Sequence, residues 1–210
     1  MIAEMTGADT FEIKTVQTYP ADYKETTEVA KRELAENARP ALAAQVPNMA
    51  DYDVVFLGYP IWWSDLPMPV YTFLESYDWN GKTIVPFVTS AGDVLTGKER
   101  DIPNYAKGAK MLDGIGFEGK RVQENPDSVR PEVEKWLTGT GLCPSEMNGD
   151  QMKRPYIFCH MMTSLDGKIM GTYMDTPEGT AAGEMFYYAA GLLCRMAEGM
   201  GGIQYGKRRL

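Results

Sequence analysis

The chain is organised around one stretch, Asp53-Val54-Val55-Phe56-Leu57-Gly58-Tyr59-Pro60-Ile61-Trp62-Trp63. Its apolar run, residues 54–57, has the length and the β-branched and aromatic content of a buried strand. The run stops at Gly58 and leads into a proline and two adjacent tryptophans. Ligands of open α/β sheets bind outside the carboxyl ends of the strands. A buried strand that ends in a rigid aromatic loop therefore predicts a site for a flat ligand.

The sequence before this stretch predicts two helices and one strand. Residues 2–5, followed by Gly7, are typical of the last turn of a helix with a glycine stop. Residues 10–16 alternate in polarity and predict a strand near a sheet edge, with Phe11, Ile13 and Val16 facing inward. Residues 22–35 predict a charged, mostly exposed helix.

The sequence after the stretch continues the alternation of strands and helices. Pro69 suits the first position of a helix, and an apolar stripe follows it at helical spacing, Val70, Phe73, Leu74 and Tyr77. Residues 83–88 predict a second buried strand. We expect a helix over 98–111 despite Pro103, a strand over 111–117 with 121–122, and a closing helix over 129–137. This order indicates parallel βαβ units.

Charge and cysteine content exclude several classes of protein. The net charge is −8, with −9 on residues 1–149 and +1 on residues 150–210. An acidic surface argues against nucleic-acid binding and would serve solubility or steer a basic protein partner. No apolar run is long enough to span a membrane, and the N-terminus lacks the pattern of a signal peptide. Three widely spaced cysteines predict neither a metal site nor a disulfide framework, so we predict a cytoplasmic protein.

Several segments resemble the flavodoxin family, in its branch of short bacterial flavodoxin-like proteins. They are Gly58–Trp63, Leu66–Pro69, Thr72–Tyr77, Thr89–Gly92 and Val133–Leu137. The resemblance covers roughly residues 1–138. It implies an α/β fold, a doubly wound parallel sheet in the order 2-1-3-4-5, with flavin mononucleotide (FMN) beside strands 1 and 3.

The same resemblance implies which residues contact the flavin. Residues 54–57 would form strand 3, Trp62 or Trp63 would cover one face of the ring, and backbone groups of residues 89–93 would approach its edge. The predicted cofactor-binding residues are Pro60, Ile61, Trp62, Trp63, Thr89, Ser90, Ala91, Gly92 and Asp93. No side chain is predicted to act as a catalytic acid or base.

One departure from the family concerns the phosphate. Flavodoxins begin with a strand and a Thr/Ser/Gly-rich loop that holds the flavin phosphate at a helix N-terminus. Neither element precedes Ile2 in this sequence. We therefore expect residues 1–142 to form an N-terminally truncated flavodoxin-like domain, with an empty strand-1 position between two unpaired strand edges.

The C-terminal part has a different resemblance. After a linker over residues 143–151, Arg154–Ile169 resembles the opening of the reductase domain of riboflavin biosynthesis, which has the dihydrofolate-reductase-like fold. The match fades after about Tyr187, so residues 152–210 would be a fragment of that domain. Either this fragment is a disordered or molten appendage, or Tyr156–Met162 occupies the empty strand-1 position, as in a circular permutation.

Candidate reactive residues in this fragment favour structural roles. His160 lies in an apolar run, and no triad can be assembled around it. Cys159 beside it is typical of a small buried hydrophobe. Asp166 and Lys168 could contact a nucleotide, but a solvated turn is favoured in a truncated domain.

Three functions remain open from the sequence. The first is electron transfer or flavin-dependent reduction, with a redox partner protein or a small-molecule acceptor. The second is a non-catalytic fusion product without bound flavin. The third is an NADPH-dependent pyrimidine reductase of riboflavin biosynthesis.

Overall fold

The computed structural model describes residues 1–20, 22–91, 95–142 and 156–160. The helices are α1 (Ile2–Thr6), α2 (Tyr23–Ala35), α3 (Met68–Glu75), α4 (Ile102–Tyr105), α5 (Gly119–Glu124) and α6 (Arg130–Thr140). The strands are β1 (Asp9–Glu12), β2 (Val54–Pro60), β3 (Thr83–Ser90), β4 (Lys110–Met111), β5 (Ile115–Glu118) and β6 (Tyr156–His160). Short 3₁₀ helices cover Met49–Asp51, Lys98–Asp101 and Pro126–Val129.

All six strands form one parallel sheet in the order β1-β6-β2-β3-β4, with β5 also paired to β3. The strands β4 and β5 share one position, because β4 pairs with the start of β3 and β5 with its end. The sheet therefore has five positions, and it follows the flavodoxin-like order 2-1-3-4-5.

The C-terminal strand β6 occupies the strand-1 position. It pairs with β1 on one side, where Asp9 is opposite Ile157, and with β2 on the other, where Val55 is opposite Ile157. The prediction that Tyr156–Met162 fills this position is confirmed for residues 156–160. Without β6, the facing backbone groups of β1 and β2 would be buried without partners, which is costly.

Both faces of the sheet are covered. On one face Val55, Leu57 and Ile157 pack with Phe73 and Leu74 of α3. On the other face Val54 and Phe56 pack with residues of α1 and α6, among them Ile2, Val133 and Leu137. All seven residues of β2 are buried, which explains why its sequence is a continuous apolar run rather than an alternating one.

The structure corrects three boundaries that the sequence predicted. The strand β1 ends at Glu12, and Val16 is 68% exposed rather than inward, because Thr15 forms an antiparallel bridge to Leu42 beyond the sheet. Residues 98–111 form a 3₁₀ turn, the short helix α4 and β4 instead of one helix. Gly108, at φ 89°, has left the helical conformation.

The third correction concerns residues 121–122, which lie in α5 and not in a strand. The strand β5 ends at Glu118, so the predicted strand is shorter at this end than its sequence pattern indicated. None of the helices among the described residues combines the length and the hydropathy needed to cross a bilayer.

Candidate functional site

The carboxyl ends of β2 and β3 bring the two predicted flavin loops side by side. Pro60, the last residue of β2, is opposite Thr89 in the parallel register. Ser90 ends β3 and is buried, whereas Ala91 beyond it is exposed. Gly92 and Asp93, which complete the predicted set, lie outside the described residues.

Gly58 allows the side chain of Phe87 to cross β2 just before this edge. The two residues are opposite each other in the register. A Cβ atom at Gly58 would lie 2.0 Å from the Phe87 ring, a distance that no side chain could tolerate. Glycine is therefore required here by close packing between strands rather than by a positive φ.

A tight hairpin follows β2 and presents the two tryptophans. Trp62 and Asp65 exchange two backbone hydrogen bonds, both 2.9 Å long. The two residues at its tip have positive φ angles, 52° for Trp63 and 60° for Ser64. Hairpins of this kind favour asparagine and glycine at the tip, and each other residue there costs about 1–2 kcal/mol. Such strain is concentrated at ligand-binding sites.

Trp62 is enclosed by the protein. Its side chain is 6% exposed, and its ring meets the ring of Tyr19 edge-on at 5.2 Å between centroids. Its indole Nε1 is buried and has no hydrogen-bond partner within the described residues. A buried donor without a partner is uncommon and calls for an explanation, such as an ordered water molecule or a ligand.

The Tyr19 hydroxyl, behind Trp62, donates a 2.7 Å hydrogen bond to Glu33 of α2. Burial raises the pKa of Tyr19, and the bond to Glu33 raises it further. Burial also raises the pKa of Glu33, although the bond from Tyr19 and the charge of Arg32 oppose this shift. Tyr19, which this bond fixes to α2, therefore forms part of the packing around Trp62.

Trp63 has a different environment, because its side chain is 50% exposed and lies against α2. Its Nε1 donates to the Thr27 carbonyl at 3.1 Å, and the Lys31 ammonium lies 5.3 Å from the ring centroid. The sequence did not distinguish between Trp62 and Trp63. In the structure the Trp62 ring is buried and its donor has no partner among the residues described, whereas the Trp63 ring is half exposed and its donor is satisfied.

Asp65 is a functional candidate that the sequence analysis missed. Its Oδ1 accepts hydrogen bonds from the Leu66 backbone at 2.7 Å and from the Tyr71 hydroxyl at 2.6 Å. Its Oδ2 lies 3.6 Å from the Lys98 ammonium. The sequence places Asp65 shortly after the two tryptophans and before the helix α3, and this position could have marked it as a candidate.

The comparisons with known proteins agree with this architecture. The family model described as Flavodoxin matches residues 1–138, which is more than half of the chain. This chain belongs to the flavodoxin family. A search of curated proteins gave no match.

Three solved structures resemble this flavodoxin-family chain. A "putative flavoprotein" from Bacteroides eggerthii is 26% identical with a TM-score of 0.53, and the match covers 65% of this chain and 86% of that one. A "putative flavoprotein" from Bacteroides uniformis is 31% identical with a TM-score of 0.49, covering 54% and 75%. A flavoprotein from Lactobacillus acidophilus, solved in complex with FMN, is 22% identical with a TM-score of 0.43, covering 59% and 76%.

Within the flavodoxin-like sheet, the structure places most of the predicted site residues together. Pro60, Ile61, Thr89, Ser90 and Ala91 lie at the carboxyl edge of adjacent strands, and the Trp62–Asp65 hairpin continues from it. Among the described residues no group of three or more histidine, cysteine or acidic side chains is arranged to hold a metal ion. His160 ends β6, opposite Glu12 and Gly58. Asp166 and Lys168 lie outside the described residues, and the resemblance of residues 154–169 to a reductase domain stays a prediction.

Proposed function

We propose that this chain binds FMN at the carboxyl edge of β2 and β3 and takes part in electron transfer or flavin-dependent reduction. The observation that carries the proposal is the Nε1 of Trp62, which is buried and has no hydrogen-bond partner among the described residues, on the hairpin that follows the paired strand ends Pro60 and Thr89. Membership of the flavodoxin family supports the choice of a flavin over other flat ligands.

The residues present fit the ring of a flavin. An unsatisfied buried donor costs about 1–3 kcal/mol, and a ligand with an acceptor removes that cost. The isoalloxazine ring offers carbonyl oxygens and ring nitrogens as acceptors. The exposed residue Ala91 and the strained hairpin tip at Trp63 and Ser64 are further features that ligand contacts would stabilise.

FMN, when bound, supplies the redox chemistry, and the chain binds, orients and shields it. The aromatic loop offers little solvation, and the larger part of the chain is acidic, with a net charge of −9 on residues 1–149. Both properties disfavour the extra negative charge of a reduced flavin. We therefore expect a reduction potential below that of free FMN, with a protein or a small molecule as electron acceptor.

The test is a titration of FMN with the apoprotein, followed by quenching of flavin fluorescence. We expect Trp62→Phe to weaken FMN binding by about tenfold, because it removes one hydrogen-bond donor. The same change also removes part of a buried ring and should lower the free energy of unfolding, so binding is measured where the variant is fully folded.

The matched control is Trp136→Phe. The Nε1 of Trp136 donates to the Asp113 carbonyl at 2.7 Å, far along the chain from the hairpin. This variant should also lose stability but keep its affinity for FMN, so it separates a loss of stability from the loss of the Trp62 donor. A wild-type protein that does not quench FMN fluorescence would overturn the proposal and favour the non-catalytic alternative.

A further inference from the structure

We propose that Asp65 is the positioning residue of the site, holding the Trp62–Asp65 hairpin against both α3 and the segment that follows β3. The inference rests on the proposed function, since its consequence is the affinity for the flavin ring. It assigns a role to a carboxylate that does not itself need to contact the ligand.

One carboxylate oxygen fixes the hairpin to α3. Oδ1 accepts from the Leu66 N–H at 2.7 Å and from the Tyr71 hydroxyl at 2.6 Å. Tyr71 is itself buried in α3, with its ring edge-on to Tyr105 at 4.5 Å between centroids. Bonds from neutral donors to a carboxylate are about twice as strong as bonds between neutral groups. The closing residue of the hairpin is therefore anchored to a rigid helix.

The other oxygen faces Lys98, in the chain segment that follows β3. Oδ2 lies 3.6 Å from the Nζ of Lys98, which also lies 3.5 Å from Asp101. Lys98 begins the 3₁₀ helix after the loop that leaves β3. The Asp65 charge is the largest influence on Lys98 and raises its pKa, so the ammonium stays charged. The pair joins the two chain segments that leave the carboxyl edge next to each other.

The strained tip explains why such an anchor is needed. Trp63 and Ser64 hold positive φ angles only while the surrounding contacts keep the hairpin closed. Asp65 supplies those contacts from its backbone to Trp62 and from its side chain to Tyr71 and Lys98. Removing the charge of Asp65 should loosen the tip and so misplace the Trp62 indole.

The first experiment measures riboflavin affinity, because riboflavin carries the ring without a phosphate charge that Lys98 could attract. Asp65→Asn keeps the shape of the side chain and one acceptor oxygen, and we expect about tenfold weaker binding. Tyr71→Phe, a milder variant, removes one bond to the same oxygen and should weaken binding by about threefold. Lys98→Gln should weaken it by about twofold, since the ammonium is half exposed.

The matched controls remove the same charges elsewhere. Asp127 is 83% exposed and paired with Arg130, and Lys120 is paired with Glu124 at 3.8 Å. Asp127→Asn and Lys120→Gln should bind riboflavin as the wild type does. If Asp65→Asn also binds like these controls, the inference is overturned while the proposed function stands.

The second experiment needs no flavin. In protein labelled with 5-fluorotryptophan, Asp65→Asn should shift or broaden the ¹⁹F resonances of Trp62 and Trp63, and leave those of Trp79 and Trp136 unchanged. Unchanged hairpin resonances would overturn the positioning role. A wild type that binds neither riboflavin nor FMN would instead refute the proposed function, and the ¹⁹F spectra would still decide the role of Asp65.

Discussion

The strands β2 and β6 are neighbours in the middle of the sheet, yet they reach their positions in different ways. The seven residues of β2 are all buried, and the chain leads directly from them through the hairpin to α3. The strand β6 has five residues and comes from a part of the chain that follows α6. Both pair with parallel partners on two sides.

The position of a strand in a sheet can therefore be specified by the neighbouring strands as well as by the strand's own sequence. Residues of β2 predict a buried strand wherever they are placed, because no polar side chain interrupts them. Residues 156–160 predict only an apolar strand, and the two facing edges of β1 and β2 decide where it pairs. If β6 contributed nothing to stability, its neighbours would not specify its position.

The largest expected effect is in β6. Ile157 is 2% exposed and packs in the same cluster as Val55. We expect Ile157→Ala to lower the free energy of unfolding by about 2–5 kcal/mol, the usual cost of a cavity in a core. Urea denaturation measures the change.

The matched variant is Ile84→Ala, in the fully buried part of β3. Similar losses in the two variants would show that β6 is as well integrated as a strand within residues 1–142. Val16→Ala is the surface control, with 68% of the residue exposed. An effect at Ile157 no larger than that at Val16 would mean that β6 is an appendage.

An intermediate effect is expected in β2 at Gly58. Gly58→Ala should lower the free energy of unfolding by about 1–3 kcal/mol, because the new methyl group overlaps the Phe87 ring. Adding Phe87→Leu should recover part of this loss. The control is Gly139→Ala in α6, where no atom lies within 4 Å of the new methyl group. Alanine there should stabilise the helix by about 0.5–1 kcal/mol.

The smallest effect is expected at Glu33, which accepts a hydrogen bond from Tyr19 next to Trp62. Burial raises the pKa of Glu33 above 4.5, so the folded state holds its proton to higher pH than the unfolded state. Stability from this group is therefore complete below pH 4.5 and falls as the pH rises through the folded pKa.

Glu33→Gln removes this titration and keeps an acceptor for Tyr19. As the pH rises from about 4 to about 7, a range that brackets the titration of Glu33, the variant should become more stable relative to the wild type. Glu28→Gln, an exposed neighbour on α2, is the control and should show no such trend. A difference that stays constant with pH for Glu33→Gln would contradict the role of burial.

Much of the fold could be predicted from local patterns. The strands β2 and β3, the helices α2 and α3, and the edge position of β1 follow from apolar runs, periodicity and capping residues. Asp22 accepts a hydrogen bond from the Glu25 backbone, as expected at a helix start. The prediction failed where short elements depend on distant partners, as at Val16 and over residues 98–111.

The candidate site was less accessible to sequence analysis. The motif resemblance identified both tryptophans as candidates. It did not show that Trp62 is buried against Tyr19 or that Trp63 lies exposed on α2. It also gave no indication of the hydrogen bond that Tyr71 donates to Asp65 or of the ion pair between Asp65 and Lys98. These features depend on the path of the hairpin, which backbone contacts determine.

The sequence alone was sufficient to identify an α/β protein of the flavodoxin type with an aromatic loop after a buried strand. Those properties are local, since apolar runs and turn residues act within a few positions along the chain. The tertiary structure was needed to show that β6 takes the strand-1 position and that Asp65 connects the hairpin to α3 and to Lys98. Both depend on backbone or charged groups that are far apart in sequence. These groups stabilise the protein only when the sheet brings them close enough to interact.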